Sequence, residues 1–188
     1  MIEVTSHYIH SKALFNKGDT LLVGVSGGID SMVLLHVLGK LGYSCAVAHC
    51  NFQLRGKAAI LDEKFVKSVT LKNHLPYHSI RFETEAYAKV KGVSIQMAAR
   101  DLRFQWFEDI RVKHGYDYVV LGHHSDDSIE TLFINLARGT GIKGLTGIRS
   151  SNDKIKRPLL STTREQIVQY AKSYRIDFRE DASNQKTE

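Results

Sequence analysis

Short apolar strands alternate with helices along most of this sequence, and that alternation constrains the fold more than any other feature. Thr20–Val25 is typical of a short strand buried on both faces of a parallel sheet. Further strands are expected at Tyr43–His49, Tyr77–Phe82 and Tyr116–Leu121, with a short strand or extended segment at Ile155–Leu160. Helices are expected at about Asp30–Leu41, Ala58–Asn73, Ser94–His114 and Ser125–Arg138, and from Thr162 or Thr163 to Tyr174. This order predicts an α/β fold, a doubly wound parallel sheet of about five strands with helices on both faces.

The size and composition fit one globular domain over residues 1–188. The chain has 188 residues, of which 43% are apolar, and this share is too high for a disordered chain. Its 2 cysteines, Cys45 and Cys50, form neither a disulfide framework nor a Cys-x-x-Cys pair. Met1–Val4 includes an acid and no basic residue, and no long apolar run follows. We therefore expect no targeting segment, no membrane partner and a cytoplasmic location.

The net charge of +6 permits a nucleic-acid partner without requiring one. The basic surplus is concentrated in residues 51–100, where nine basic residues face four acidic ones. Charge alone leaves two interpretations open, an RNA-facing surface and an ordinary solvated face of a basic enzyme.

The strongest motif is the segment Ser26–Ser31, SGGIDS, between a predicted buried strand and a helix. Ligands of such sheets bind beyond the carboxyl ends of the strands. Glycines let backbone N–H groups approach a phosphate, and a helix N-terminus favours anions. Asp30 fits beside a phosphate if a divalent cation lies between them. The motif lacks the Gly-Lys-Ser/Thr of a P-loop. The alternative is a tight strand–helix turn with no ligand.

SGGIDS after an apolar strand resembles the pyrophosphatase loop (PP-loop) of the N-type ATP pyrophosphatases, whose fold is adenine nucleotide alpha hydrolase-like. The resemblance implies that ATP is cleaved between its α- and β-phosphates, that AMP passes to a carbonyl oxygen, and that pyrophosphate leaves. It also implies that ATP is the cofactor and that the loop binds it. The loop residues implied are Ser26, Gly27, Gly28, Ile29, Asp30 and Ser31.

A second motif, LGHHSDDSIET, spans Leu121–Thr131 at the end of the fourth predicted strand. Asp127 and Glu130 are three residues apart, so their carboxylates share one side of the first helical turn. Acids there also complement the helix dipole, which is the purely structural alternative. The pattern resembles the tRNA(Ile)-lysidine synthase family. That resemblance implies that Asp127 and Glu130 position Mg²⁺ and the amino group of lysine. It also implies that His123 contacts the nucleotide or the cytidine ring.

The same resemblance implies that Asp30, Asp127, Glu130, His123 and Arg103 are catalytic, with Asp30 and Asp127 as the Mg²⁺ ligands. Which carboxylate holds the metal and which holds lysine stays open.

Three further segments match the same family. His49-Cys50-Asn51-Phe52-Gln53-Leu54-Arg55-Gly56 keeps the family's His and Arg but departs from its middle residues, so a polar surface loop is an equal alternative. Met97–Phe104 resembles AARxxRY. The resemblance of these two segments implies nucleotide binding by His49 and by Arg100, with Arg103 at the reacting centre. A solvated basic stripe is the alternative for these arginines. RGTGIKGLTG at Arg138–Gly147 resembles a loop bordering the tRNA, where Arg138 and Lys143 would meet the RNA backbone.

Together with RPLL at Arg157–Leu160 and DASN at Asp181–Asn184, these motifs imply the N-terminal catalytic domain of a lysidine synthase, without the family's C-terminal tRNA-binding domains. The implied partners are tRNA(Ile) with a CAU anticodon and free L-lysine. A homodimer, the tRNA orientation and the activity of this chain alone stay open. The rival functions are another PP-loop enzyme that uses ammonia or sulfur, and a non-catalytic ATP-binding module.

Overall fold

The computed structural model describes residues 1–139 and 146–179. Within these ranges six strands form one sheet in the order β3-β2-β1-β4-β6-β5. The strands are β1 (Thr20–Gly24), β2 (Ser44–Asn51), β3 (Tyr77–Arg81), β4 (Tyr118–Val120), β5 (Ser151–Asn152) and β6 (Ile155–Lys156). The helices are α1 (Ile2–Ser11), α2 (Ile29–Lys40), α3 (Lys57–Lys72), α4 (Thr84–Lys91), α5 (Ile95–His114), α6 (Ser125–Ala137) and α7 (Arg164–Tyr174).

The sheet is parallel except at one edge, which confirms the predicted fold class. β1 pairs in parallel with β2 on one side and with β4 on the other. β3 and β6 extend the parallel sheet outward, and β5 alone pairs antiparallel, with β6. The sheet has six strands rather than about five because the chain forms two short strands, β5 and β6, after α6.

Successive residues of β1 point into two different cores, which is the burial expected of a central strand. Leu21 and Val23 belong to the larger apolar core, with side chains from α1, α2, α3 and α7. Leu22 belongs to the second core, on the opposite face, where it packs with Trp106 and Phe107 of α5. The prediction of helices on both faces of the sheet is therefore confirmed.

One predicted element needs correction, and two helices are additional to the prediction. Ile155–Leu160 is not one extended segment, because only Ile155–Lys156 pairs and Pro158–Ser161 forms a 3₁₀ helix. Proline has no N–H to donate to a sheet, and its fixed φ suits the start of a helical turn. α1 and α4 were not expected at all. Their buried faces are small, with two buried residues in each helix, so their apolar pattern is weak.

The end of β4 lies against the first turn of α2. A Cβ added at Gly122 would stand 3.1 Å from the backbone oxygen of Asp30 and 3.3 Å from the backbone nitrogen of Ser31. Both contacts are tighter than ordinary van der Waals distances, and backbone cannot rotate away as a side chain can. Glycine at position 122 therefore permits the close approach of two motif-bearing segments.

We expect Gly122→Ala to destabilise the fold by about 1–3 kcal/mol, because the new methyl group overpacks this contact. Gly39→Ala, within α2, is the matched control, since no neighbouring atom lies within 4 Å of its added Cβ. Alanine there should be neutral or raise the free energy of unfolding by up to about 1 kcal/mol. Urea denaturation checks both variants. Wild-type stability in Gly122→Ala would contradict the close approach.

Candidate active site

The loop between β1 and α2 is closed by its own serines. The Ser26 backbone N–H donates to Ser31 Oγ at 3.2 Å, and the Gly28 N–H donates to Ser26 Oγ at 3.2 Å. The Ser31 hydroxyl donates in turn to the Gly28 carbonyl at 2.9 Å. Gly27 has φ +98°, a conformation that residues with a side chain rarely adopt. The local sequence therefore specifies a tight turn directly before a helix.

This turn presents the N-terminus of a twelve-residue helix to the space beyond the sheet. The first N–H groups of an α-helix have no partner within the helix. No side chain caps the N-terminus of α2, where Gly28 is the N-cap residue. Free N–H groups and the positive end of the helix dipole together favour a bound anion. The geometry thus suits a phosphate group, as the sequence predicts.

A cavity of about 250 Å³ separates this loop from the segment between β4 and α6. Ser26, Asp30 and Ser31 line one wall. Arg103 lines the same cavity from α5, His123 from the β4–α6 connection, and Asp127 from the first turn of α6. Residues predicted from three separate motifs therefore face one space at the carboxyl edge of the sheet.

Three carboxylates surround His124, a residue that the sequence did not single out. His124 Nε2 lies 3.8 Å from Asp30 Oδ1 and 3.6 Å from Asp127 Oδ1, while its Nδ1 lies 3.4 Å from Asp126 Oδ2. The His124 side chain is 9% exposed, so it forms the floor between acids of two different segments. The adjacent histidines of the motif were the available signal, but only His123 was assigned a role.

Asp127 stabilises the start of α6 and is also exposed to the cavities. Its Oδ2 accepts the His124 backbone N–H at 2.9 Å at the start of α6. The side chain is still 34% exposed and lines two cavities. Glu130, one turn further along α6, is exposed and lines the second of these cavities, of about 610 Å³. The helix-dipole interpretation and the site interpretation of these acids are therefore compatible.

Arg164 is a second residue that the motifs missed. Its guanidinium forms an ion pair with Asp30, and its backbone N–H donates to Asp126 Oδ2 at 2.8 Å. Arg164 is the first residue of α7, after the N-cap Thr163. The sequence predicts a helix start here, but nothing in it indicates that the start lies against the loop of residues 26–28. Arg164 gives Asp30 a positive partner within the protein.

The loop after β2 forms a third cavity, of about 260 Å³, beside the same turn. His49 lines it, and its Nδ1 donates to the Val25 carbonyl at 2.8 Å. Burial lowers the pKa of His49, so the ring is neutral. Phe52 also lines this cavity and stacks on Phe82 with ring centroids 5.6 Å apart. The cavity is apolar enough for a flat heterocycle and opens next to the anion site.

Arg100 and Arg103 lie on α5 but face different cavities. Arg103 lines the 250 Å³ cavity with the loop, and its buried Nε has no hydrogen-bond partner among the described residues. Arg100 lines the 610 Å³ cavity, and its guanidinium lies 4.8 Å from the centre of the Phe104 ring. The predicted nucleotide contact of Arg100 therefore requires a ligand that reaches the larger cavity.

The donor set fits Mg²⁺ bound together with ATP rather than by protein alone. Among the described residues, no group of three or more His, Cys, Asp or Glu side chains converges as a metal cluster. Mg²⁺ usually takes one or two carboxylates and completes its shell with water and substrate phosphates. Asp30 and Asp127 lie on either side of the same His124 nitrogen, next to the anion site. These two carboxylates suit that role.

Parts of two predicted motifs lie outside the described residues. They are Thr140–Leu145 of the glycine-rich loop, which includes Lys143, and Asp181–Asn184. Arg138 follows the last residue of α6 and is exposed. Its contact with RNA stays a prediction.

Comparison with known proteins assigns the family. The family model described as the PP-loop domain matches residues 3–188, nearly the whole chain. The chain belongs to the PP-loop family. The resemblance of the chain to the PP-loop enzymes is therefore confirmed, and the binding of phosphate by Ser26–Ser31 stays a prediction.

Curated relatives carry the family name that the sequence motifs indicate. The chain is 48% identical over 177 residues to the tRNA(Ile)-lysidine synthase of Bacteroides thetaiotaomicron, covering 94% of this chain and 42% of that protein. It is 46% identical over 181 residues to that of Porphyromonas gingivalis, covering 95% and 40%. It is 41% identical over 186 residues to that of Bacillus subtilis, covering 95% and 39%. The chain thus spans about two fifths of the length of these relatives.

Solved structures support the fold. The U34-tRNA thiolase NcsA from Methanococcus maripaludis superposes with a TM-score of 0.77 at 14% identity, covering 95% of this chain and 65% of that one. The NH₃-dependent NAD synthetase from Campylobacter jejuni gives 0.63 at 18% identity, covering 93% and 73%. Within the described residues of the present chain, no helix is both long and apolar enough to cross a membrane.

His123 should make the fold sensitive to acid. Burial, and then the charges of Arg157, Arg103, Arg100 and His124, lower the pKa of His123 from 6.5 to about 4. The unfolded chain therefore binds this proton at a higher pH than the folded chain. The contribution of the neutral His123 ring to the free energy of unfolding is complete above about pH 6.5 and is lost as the pH falls towards 4.

We expect His123→Gln to reduce this loss between pH 6.5 and 4 by up to about 3 kcal/mol, because glutamine cannot take up a proton. Denaturant unfolding at several pH values measures it. The matched control is His7→Gln on the exposed face of α1, which should keep the wild-type profile. Identical profiles for His123→Gln and the wild type would contradict the lowered pKa.

Proposed function

We propose that this chain is the catalytic part of a tRNA(Ile)-lysidine synthase, a ligase that forms a carbon–nitrogen bond and works in the cytoplasm. One observation carries the proposal. His123 and Asp127 line both the cavity that faces the PP-loop and the larger cavity beside it. Two substrates bound in adjoining cavities would meet at these two residues. Such an arrangement suits an enzyme that first activates one substrate with ATP and then joins it to another.

ATP is the nucleotide, in keeping with membership of the PP-loop family. Its terminal phosphates would accept hydrogen bonds from the N–H groups at the start of α2. Its adenine would occupy the 260 Å³ cavity beside His49 and Phe52. Asp30 and Asp127 would hold Mg²⁺, which supplies charge neutralisation for the leaving pyrophosphate. Arg103, on the opposite wall, adds a fixed positive charge facing the same space.

The larger cavity suits a free amino acid with two ammonium groups. Asp127 and Glu130 supply carboxylates to its lining, and Arg100 and Arg149 supply guanidinium groups. The side-chain amine of L-lysine would pair with the carboxylates, and the carboxylate of L-lysine would pair with the guanidinium groups. These pairings would place the side-chain amine near Asp127, at the junction of the two cavities.

The reaction has two steps that these residues serve. In the first, the 2-oxo oxygen of the wobble cytidine attacks the α-phosphorus of ATP, and pyrophosphate leaves. In the second, the side-chain amine of lysine attacks C2 of the cytidine, and AMP leaves with that oxygen. Asp127 or Glu130 accepts the proton that the amine releases. The remaining contribution of the chain is positioning and charge stabilisation.

Two rival functions have specific arguments against them. A sulfur-transferring PP-loop enzyme would require paired cysteines, but Cys45 is buried in the larger core and only Cys50 reaches the site. The likeness to the thiolase, at 14% identity, concerns the fold alone. A non-catalytic ATP-binding module would have no use for Asp30, Asp127 and Glu130 beside the PP-loop.

The direct test incubates the chain with ATP, Mg²⁺, L-lysine and tRNA(Ile) bearing a CAU anticodon. We expect lysine-dependent release of AMP and pyrophosphate, and one cytidine whose mass rises by one lysine minus water. Mass spectrometry of the RNA digest measures this product, and tRNA with a CAG anticodon is the control. Turnover of ATP without entry of lysine into RNA would contradict the proposal and favour an ammonia- or sulfur-using rival.

Asp127→Asn should lower turnover by at least about 100-fold, because the neutral amide cannot accept a proton and lacks the negative charge that attracts a cation. The fold should survive, since the amide oxygen can still accept the His124 N–H bond. Asp109→Asn, an exposed change on α5, is the matched control and should keep wild-type turnover. Retained activity in Asp127→Asn would remove this residue from the reacting centre.

A further inference from the structure

Arg157 is a buried arginine directly after β6, and its side chain contacts the site. Its Nε lies 3.3 Å from Nδ1 of His123, and its Nη1 donates to the carbonyl of Arg149 at 2.9 Å. Its backbone N–H donates to the carbonyl of Ser150 at 2.9 Å. The whole residue is 7% exposed. The backbone bond to Ser150 and the Nη1 bond to Arg149 thus hold the Arg157 guanidinium in one orientation.

This contact determines where the proton of His123 lies. A guanidinium has only N–H donors, and it does not lose a proton in proteins. Nδ1 of His123 must therefore be the acceptor, with its lone pair facing Arg157. A neutral imidazole carries its single proton on the other nitrogen, which is Nε2. The alternative tautomer would place two N–H groups against each other.

The charges around His123 exclude the protonated ring as well. The groups that act on it are the cations Arg157, Arg103 and Arg100, together with His124. All of them oppose a positive charge on the ring, and burial opposes it further. A general base at this position would have to accept a proton beside three guanidinium groups. His123 is therefore suited to donate a hydrogen bond and unsuited to remove a proton.

We propose that Arg157 is a positioning residue that fixes His123 as a neutral Nε2–H donor at the junction of the two cavities. The ligand group that this donor recognises is an oxygen acceptor, either a nucleobase carbonyl or a phosphate oxygen. Naming these two oxygens rests on the proposed function, whereas the tautomer of His123 does not. The sequence gives Arg157 no role beyond its place in the RPLL motif, whereas in the structure its side chain contacts His123.

The tautomer can be read directly from the ligand-free chain. Two-bond hydrogen–nitrogen correlation spectra of ¹⁵N-labelled protein distinguish protonated from bare ring nitrogens, and the His123→Gln spectrum assigns the signal. We expect a protonated Nε2 and a bare Nδ1, unchanged from pH 8 to pH 6. A protonated Nδ1, or a ring that becomes charged by pH 6, would overturn the proposal.

Substitutions then test whether Arg157 sets the tautomer. Arg157→Met removes the donor and should give a mixture of both tautomers, while Arg157→Lys keeps a donor and should restore the wild-type pattern. Arg149→Gln is the matched control, because it removes the same charge from the same cavity without removing a donor to Nδ1. An amide spectrum checks that each variant is folded. A wild-type ring pattern in folded Arg157→Met, or an equal disturbance in Arg149→Gln, would refute the assignment.

The donor role of His123 has its own readout in the lysine-transfer assay. Glutamine places its amide nitrogen near the position of Nε2, whereas asparagine places it near that of Nδ1. His123→Ala should lower kcat/KM by roughly 10- to 100-fold, the usual effect of a lost hydrogen bond to a charged or developing oxygen. Glutamine should recover most of this loss and asparagine little. Better recovery by asparagine would overturn the proposal.

A further pair of measurements separates the two oxygen sources. If the acceptor is a phosphate oxygen, His123→Ala should weaken ATP binding measured without RNA. If it is the nucleobase carbonyl, the same variant should leave ATP binding unchanged and raise the KM for tRNA. A wild-type chain that transfers no lysine would count against the proposed function alone, because the ring spectra are recorded without substrate. Unchanged values for both ligands would refute the recognition role.

Discussion

The side-by-side pairing of β1 and β4 is the constraint on which the site depends. Leu21 pairs with Tyr118 and Val23 with Val120, so the two strands end at the same edge of the sheet. The PP-loop follows one strand, and the segment with His123 and Asp127 follows the other. These segments are about a hundred residues apart in sequence. Only a parallel sheet with β4 inserted next to β1 brings them into contact, and Gly122 lets the backbones approach closely.

The charges of the site are arranged in two groups of opposite sign. The acids Asp30, Asp126 and Asp127 surround His124, and Arg164 pairs with Asp30. Across the cavity, Arg103 and Arg157 have lowered pKa values because they are buried and lie near other guanidinium groups. Buried charges of this kind are costly unless they are paired. The cationic wall therefore gains most from a bound anion, whereas the acidic side already has partners within the protein.

Sequence reasoning recovered the parts of the fold that have a strong local pattern. The β1 strand, α2 and α5 follow from continuous apolar runs or helical spacing, and the structure shows that the Ser94 cap and Gly115 bound α5. The helices α1 and α4 were missed because each buries too few side chains to show a clear period. The motif residues of the site were found because glycine, serine and acid spacing carry chemistry that can be recognised locally.

Each of the missed residues has a partner that is distant in sequence. Arg164 contacts Asp30, and Arg157 contacts His123, across 134 and 34 residues. His124 lies 3.8 Å from Asp30 on another segment, and Lys156, which precedes Arg157, is buried in β6, where the sequence predicts only a short strand or extended segment. No local pattern distinguishes these side chains from surface arginines and histidines, because their roles arise only from the folded sheet order.

The last described residues, 164–179, are therefore part of the site and not merely attached to it. Both ends of this segment contact the PP-loop. Arg164 pairs with Asp30, and the backbone N–H of Arg179 donates to the Gly27 carbonyl at 2.9 Å. The Arg179 side chain also pairs with Asp62, which lines the cavity next to His49. The serine hydrogen bonds close the loop locally. The contacts from Arg164 and Arg179 then hold the closed loop in place against elements that are far along the sequence.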